Sequence, residues 1–378
     1  MRRQASSPRA VLGAAAGVIA LLAFPSFGFA HGVSARSDLP LPSWLLGWGA
    51  ALVLIISFLG LATLWPRPKL ERSSWRPLPA GLGRVLGSRV VEIACGVVGV
   101  VLFSVTIASG LVGEQIATAN FAPTFVYVAF FVGLVPVSVL FGDVFRAFNP
   151  WRAIGRATDW LAARLLPRPP PPPRPYPERL GRWPAVVGIF LFAWLELVVP
   201  GSDAPRTVAI AACVYSSITS VGTAIYGVGP WIERAEAFSV YFNLFSRLSP
   251  FERREREVGL RRPLSGLAKL EPQPGTVVLI AVMIGTVSFD GASEGALWQQ
   301  VSVDLAGFLE SVGLGTSLSL TIANTLGVLF LVLLIYVLYR LAVTGAGTVG
   351  GVSAPPALHA PSCTRWCPSR LHTWRRTT

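Results

Sequence analysis

Residues 121–142 read FAPTFVYVAFFVGLVPVSVLFG, an unbroken stretch without a charged side chain. At 1.5 Å per helical residue, such a stretch crosses the ~30 Å hydrocarbon core of a bilayer. The same signal recurs on both sides of it. Uncharged runs occupy Ser43–Trp65, Thr207–Val228 and Thr316–Tyr339. Val90–Val112 and Trp183–Pro200 are span-like and carry one carboxylate each, Glu92 and Glu196. Gly275–Phe289 is shorter and ends on Asp290. Lipid offers the backbone no hydrogen-bond partner, so each run has to be a helix. These runs predict an all-α polytopic transmembrane bundle with spans near residues 43–65, 90–112, 121–142, 183–200, 207–228, 275–290 and 316–339.

Composition agrees. Of 378 residues, 52% are hydrophobic and 13% charged, and mean hydropathy is +0.58. Soluble domains carry about 25% charged residues, so disordered, collagen-like and ordinary cytosolic chains are excluded. Four Cys are too few for a disulfide scaffold. The net charge of +13 has a position. Residues 66–89, 143–182 and 229–275 hold 22 Lys and Arg, whereas the alternating segments hold only Arg36 and Arg206. Cytoplasmic loops of membrane proteins are enriched in Lys and Arg. The basic loops are therefore expected in the cytoplasm and the mature N-terminus outside, in a bacterial inner membrane. The expected partners are the bilayer and anionic lipid at the basic loops; nucleic acid is not expected.

Both ends depart from this pattern. Ala10–Ala30 is uncharged, follows Arg2, Arg3 and Arg9, and closes on Gly28-Phe29-Ala30. Residues 1–30 read as a secretory signal cleaved after Ala30, or as an uncleaved first membrane helix. The bundle then occupies residues 31–343. Residues 344–378 carry His359, Cys363, Cys367 and His372, a spacing that invites a zinc reading. No structural context surrounds that motif. A shifted reading frame is preferred, because residues 361–378 become an apolar, span-like string in the frame starting on the third codon base.

Two loop segments predict amphipathic helices lying in the cytoplasmic interface. Asn149-Pro150 is a helix start, with a favoured N-cap and Pro at the first position. Trp151, Ile154, Thr158, Leu161 and Leu165 then share one face. Over Trp231–Leu248, Trp231, Ala235, Phe238, Phe242 and Phe245 form a stripe against Glu233 and Glu236. The proline run Pro169–Pro173 predicts an extended spacer. No internal repeat is visible.

Three common motifs of soluble enzymes are absent: there is no P-loop, no GxGxxG after a strand and no HExxH. Carboxylates at bilayer depth are costly and mark function. Glu196 and Asp290 are the candidate catalytic groups. The alternatives are an interhelical hydrogen bond or an Arg206 contact for Glu196, and a solvated helix end for Asp290. With His31 they would share the outer face and could hold a divalent metal. Glu233, Glu236 and Arg152 are candidates for a substrate site or gate, against charge pairing and lipid anchoring as the plainer reading. Glu92 is expected to snorkel or to pair with Arg89. Asn324 is expected to hydrogen-bond across helices, and Cys95 and Cys213 to pack as small apolar residues.

Several segments together resemble a family of bacterial multi-pass membrane proteins often labelled fenitrothion hydrolase. They are His31-Gly32 with Asp38-Leu39-Pro40-Leu41-Pro42, Leu64-Trp65-Pro66-Arg67-Pro68, Asn149-Pro150-Trp151-Arg152, Trp194-Leu195-Glu196-Leu197, Trp231-Ile232-Glu233-Arg234 with Glu236, and Phe289-Asp290-Gly291. The likeness runs from about His31 to Arg340. It implies water attack on an organophosphorus triester with release of a nitrophenol. It brings no catalytic set with it. A proton- or cation-coupled transporter, or a non-catalytic accessory protein, stays open beside it.

Overall fold

A computed structural model describes residues 43–64, 75–79, 81–167, 171–254 and 257–350. The signal segment, His31 and the tail from residue 351 lie outside the described residues.

The chain is mostly helical. Helix α1 is Ser43–Leu64, and a short α2 is Leu82–Leu86. Helix α3, Arg89–Val112, starts on Ser88, whose hydroxyl accepts from Val91 N at 3.3 Å. Helix α4, Phe121–Phe141, starts on Asn120 and has wide π turns over Thr124–Val132. Helices α5 (Phe145–Phe148) and α6 (Pro150–Leu165) follow. Helices α7 (Trp183–Val198) and α8 (Pro205–Tyr226) both carry Pro in the first turn, where no N–H bond is lost. Then come α9 (Val228–Arg234), α10 (Ala237–Ser246), α11 (Thr276–Ser293), α12 (Ala296–Ser311) and α13 (Thr316–Gly350).

Five described helices are long and apolar enough to cross a membrane: α3, α4, α8, α11 and Thr316–Gly345 of α13. Helix α7 is apolar but shorter, at 16 residues. Large apolar side chains stay exposed along these helices, Val90 and Val101 on α3 and Phe330 and Leu333 on α13 among them. That is the surface of a protein solvated by lipid. Two features were not expected. The all-α bundle also carries a small antiparallel sheet, of Arg76–Pro77, Phe251–Arg254 and Glu257–Leu260 with the last strand in the middle. Residues 290–315 are not a plain outer loop. Helix α12 folds back along the start of α13, with Trp298 Nε1 donating to Asn324 Oδ1 at 3.1 Å and Gly327 leaving room for the indole.

The larger correction concerns the two amphipathic segments. Neither lies flat at an interface. The chain enters the bundle after α4, from the end that carries the basic loops. The Phe148 carbonyl packs on Gly99, where a Cβ would sit 1.8 Å from its oxygen. Gly99 is ten residues into α3, or ~15 Å from its start. Trp151 Nε1 donates to Ser216 Oγ at 2.9 Å, in the middle of α8. Helix α6 then returns, with Gly155 against Val228 and Arg156 beside Glu92. The second segment repeats the route. Helix α9 climbs along α8 with the Trp231 ring on Gly222, and the chain turns at Ala235-Glu236 beside Tyr215. Helix α10 descends until Asn243 Nδ2 donates to Asp143 Oδ2 at 2.8 Å. Tyr215 lies eleven residues from the end of α8, a depth of ~16 Å. Residues 237–246 are all buried or half-buried, so this is a core helix.

The same order appears twice: a span away from the basic end, a span back, then a hairpin inserted from that end. Residues 89–165 make one unit and 183–246 the other. Their contacts match as well. Helix α3 packs on α8 and α6, while α7 meets α4 and packs on α10. Trp151 and Phe238, each two residues past its cap, stack at 6.3 Å and 14°. This repeat is not visible as a repeat of the sequence.

Candidate functional site

The two inserted helices meet N-terminus to N-terminus, and their cap residues touch. Asn149 caps α6: its Oδ1 accepts from Arg152 N at 2.8 Å. Glu236 caps α10: Oε1 accepts from Phe238 N at 3.0 Å and Oε2 from Ser239 N at 2.8 Å. Side-chain caps of this kind satisfy donors that the first helical turn leaves free. Here each cap also reaches the other unit. Asn149 Nδ2 donates to Glu236 Oε2 at 3.0 Å and to Ser239 Oγ at 2.8 Å. Tyr215 OH donates to Glu236 Oε1 and accepts from Ala237 N at 3.0 Å.

Glu236 and Asn149 are each 1% exposed. The carboxylate thus holds four donors, two on each oxygen. An ionised carboxylate accepts about four hydrogen bonds and donates none. No Lys, Arg or His pairs with it among the described residues. Two helix N-termini supply the compensating positive field, which falls off within a turn. Aromatic rings close the site, with Phe130, Phe192 and Tyr215 all within 5.3 Å of the Phe238 ring centre.

A second polar group sits nearer the basic end. Glu92 pairs with Arg152 at 2.9 Å, with Arg156, and with Arg253 at 3.4 Å. Glu92 is therefore a hub for three arginines and does not pair with Arg89. Arg152 also donates from Nη1 to the Arg146 carbonyl at 3.0 Å. The Arg152 backbone bonds Asn149, so this group is joined to Glu236 through one side chain. Glu233 stands apart, paired with Arg146 at 3.4 Å, with both groups exposed.

The remaining candidates lie towards the opposite end. Asp290 is exposed near the end of α11. Glu196 is half-buried in the last turn of α7, and its carbonyl accepts from Ser202 Oγ at 3.1 Å. Glu196 makes no ion pair among the described residues, with Arg206 or otherwise. No three His, Cys, Asp or Glu side chains among the described residues are placed to hold a metal ion. Asn324 does bond across helices, through Trp298.

No family model, curated protein or solved structure matches this chain.

Of the residues singled out from sequence, Glu236 and Arg152 share one network. Glu233, Glu196 and Asp290 do not join it. Asn149 and Tyr215 were missed as functional residues. Asn149-Pro150 was legible as a helix cap, but not the depth at which it caps. Tyr215 carries no local signal at all.

Proposed function

We propose that the chain is a multi-pass transporter or permease with Glu236 as its ion-coupling carboxylate. One observation carries this reading: two inserted helices end face to face at mid-depth on a shared, charged hydrogen-bond network. Broken helices and irregular backbone at membrane depth occur where they are buried in protein or line a path. In transporters such helix ends form the substrate and ion sites. An ionisable group at that depth is functional by default. The seven spans, with the basic loops cytoplasmic in a bacterial inner membrane, follow the charge asymmetry.

The test uses purified protein in vesicles loaded with a pH-sensitive dye. Under an imposed potassium diffusion potential, the protein should pass protons well above the protein-free rate, and Glu236→Gln should lose that flux. Equal flux in the variant sinks the assignment. Asp290→Asn, an exposed change, should leave the flux intact.

The family resemblance makes phosphotriester hydrolysis the second reading. The observation favouring it is the Glu196 and Asp290 pair, two carboxylates at the end away from the basic loops. Release of nitrophenol from a nitrophenyl phosphotriester by the same vesicles, lost in Glu196→Gln and Asp290→Asn and sensitive to chelator, would favour it over transport.

A further inference from the structure

We infer that the open flank between α3 and α6 is a seat for one acidic phospholipid, with its phosphate on the arginines and its chains along α3. The first observation is the cavity itself. It encloses about 1310 Å³ and extends from Gly87, just ahead of α3, along that helix to Val101. That is larger than the ~300–1,000 Å³ of ordinary small-molecule sites. Its length on the helix is ~18 Å, a little more than one ~15 Å leaflet of hydrocarbon.

The second observation is how charge is distributed along it. Arg89, Arg146, Arg152, Arg156 and Arg253 line the basic end, against only Glu92 and Asp159. Arg89 is exposed and makes no ion pair among the described residues. Beyond Gly96 the wall is Val97, Val100 and Val101, while Trp160, one turn past Arg156 on α6, stands at the basic end. A cationic mouth over an apolar trough matches a molecule with an anionic head and an apolar tail. Basic pockets between membrane helices bind such headgroups.

The third observation comes from the repeat. In the second unit, α11 packs on α7, and its Leu279 and Val282 join the core around Phe238 and Phe242. The matching flank of the first unit, on α3, has no such helix among the described residues. The same fold is therefore covered by protein on one side and open on the other.

The experiment takes the full chain in detergent with equal phosphatidylglycerol and phosphatidylcholine, read by native mass spectrometry. Phosphatidylglycerol should be retained preferentially. Arg89→Gln/Arg156→Gln should weaken it by about fivefold per arginine removed. Both side chains are at least half exposed or unpaired, and an unchanged melting temperature verifies the fold. Equal retention of both lipids, or full retention by the double variant, overturns the proposal. Displacement of the lipid by millimolar inorganic phosphate alone also overturns it, since the site would then take free anion. None of these readouts depends on transport.

Discussion

The two inserted hairpins have the same plan and opposite surroundings. Phe145–Leu165 buries only its first turns: Asn149 and Trp151 are inside, while Arg156, Trp160 and Leu165 are exposed. Ala235–Ser246 is enclosed, with Phe238, Tyr241 and Phe242 in the largest core cluster. The shared cap contact sets how deep both go. What differs is the neighbour, because α11 and the loop after α10 cover the second hairpin. Depth is thus a property of the helix ends, and exposure a property of lateral packing. The sequence pattern reports neither, since a stripe of aromatic residues looks the same against lipid, water or protein.

The comparison can be broken most directly at the caps. Glu236→Ala should leave Tyr215 OH and two N–H groups without an acceptor and remove one of the two acceptors of Asn149 Nδ2, at about 1–3 kcal/mol for each group that stays buried and unpaired. Asn149→Ala removes two shared contacts and one cap but leaves Glu236 its other three donors, and should cost about 1–2 kcal/mol. Melting in detergent micelles measures both. Equal losses would mean the junction is borne evenly by the two units, contrary to the geometry. The close approaches come next. Gly99→Ala drives a methyl into the Phe148 backbone carbonyl, and Gly222→Ala drives one into the Trp231 ring. A backbone in a packed hairpin yields less than a side chain. Gly99→Ala should fall at about 1–3 kcal/mol and Gly222→Ala below it, and the reverse order would refute the placement of Phe148.

Smaller effects belong to the charged end. Glu92→Gln removes the common acceptor of three arginines, and should cost about 1 kcal/mol at low salt. The loss should shrink as salt screens the repulsion it leaves behind. A salt-independent loss would mean Glu92 matters by packing alone. The smallest effect is at the sheet. Burial works against the charged form of Glu252, but hydrogen bonds and charge from Arg254 and Lys269 outweigh it. Its carboxyl is held below the ordinary 4.5. A lowered folded value means its stabilisation is present above 4.5 and lost as pH falls through the lower value. Hydrogen exchange in Phe251–Arg254, corrected for intrinsic rates, should rise in that window and not in Glu252→Gln.

Much of the architecture was legible in the sequence because lipid solvation is a local constraint. A run such as Thr207–Val228 announces itself by length and lack of charge, and helix boundaries fell within a few residues of the expected ones at 89–112 and 121–141. The site was legible only in pieces. Glu236 and Arg152 stood out as charges beside apolar stripes, yet their roles came out differently: one is buried among neutral donors, the other is paired with Glu92. The Asn-Pro start of α6 was visible and its partner was not, because Asn149 and Glu236 are 87 residues apart. The excess of positive charge is visible in the sequence as a property of the segments between spans. It is also concentrated beside one cavity.

The residues by themselves determine that this chain forms membrane-length helices and that its arginines gather in alternate loops, because hydropathy and charge act position by position. Only the tertiary structure decides that two loop segments enter the bundle, that their ends meet on Glu236 and Asn149, and that one flank is closed while the other stays open. Those outcomes depend on which helix packs beside which, and no single segment carries that information.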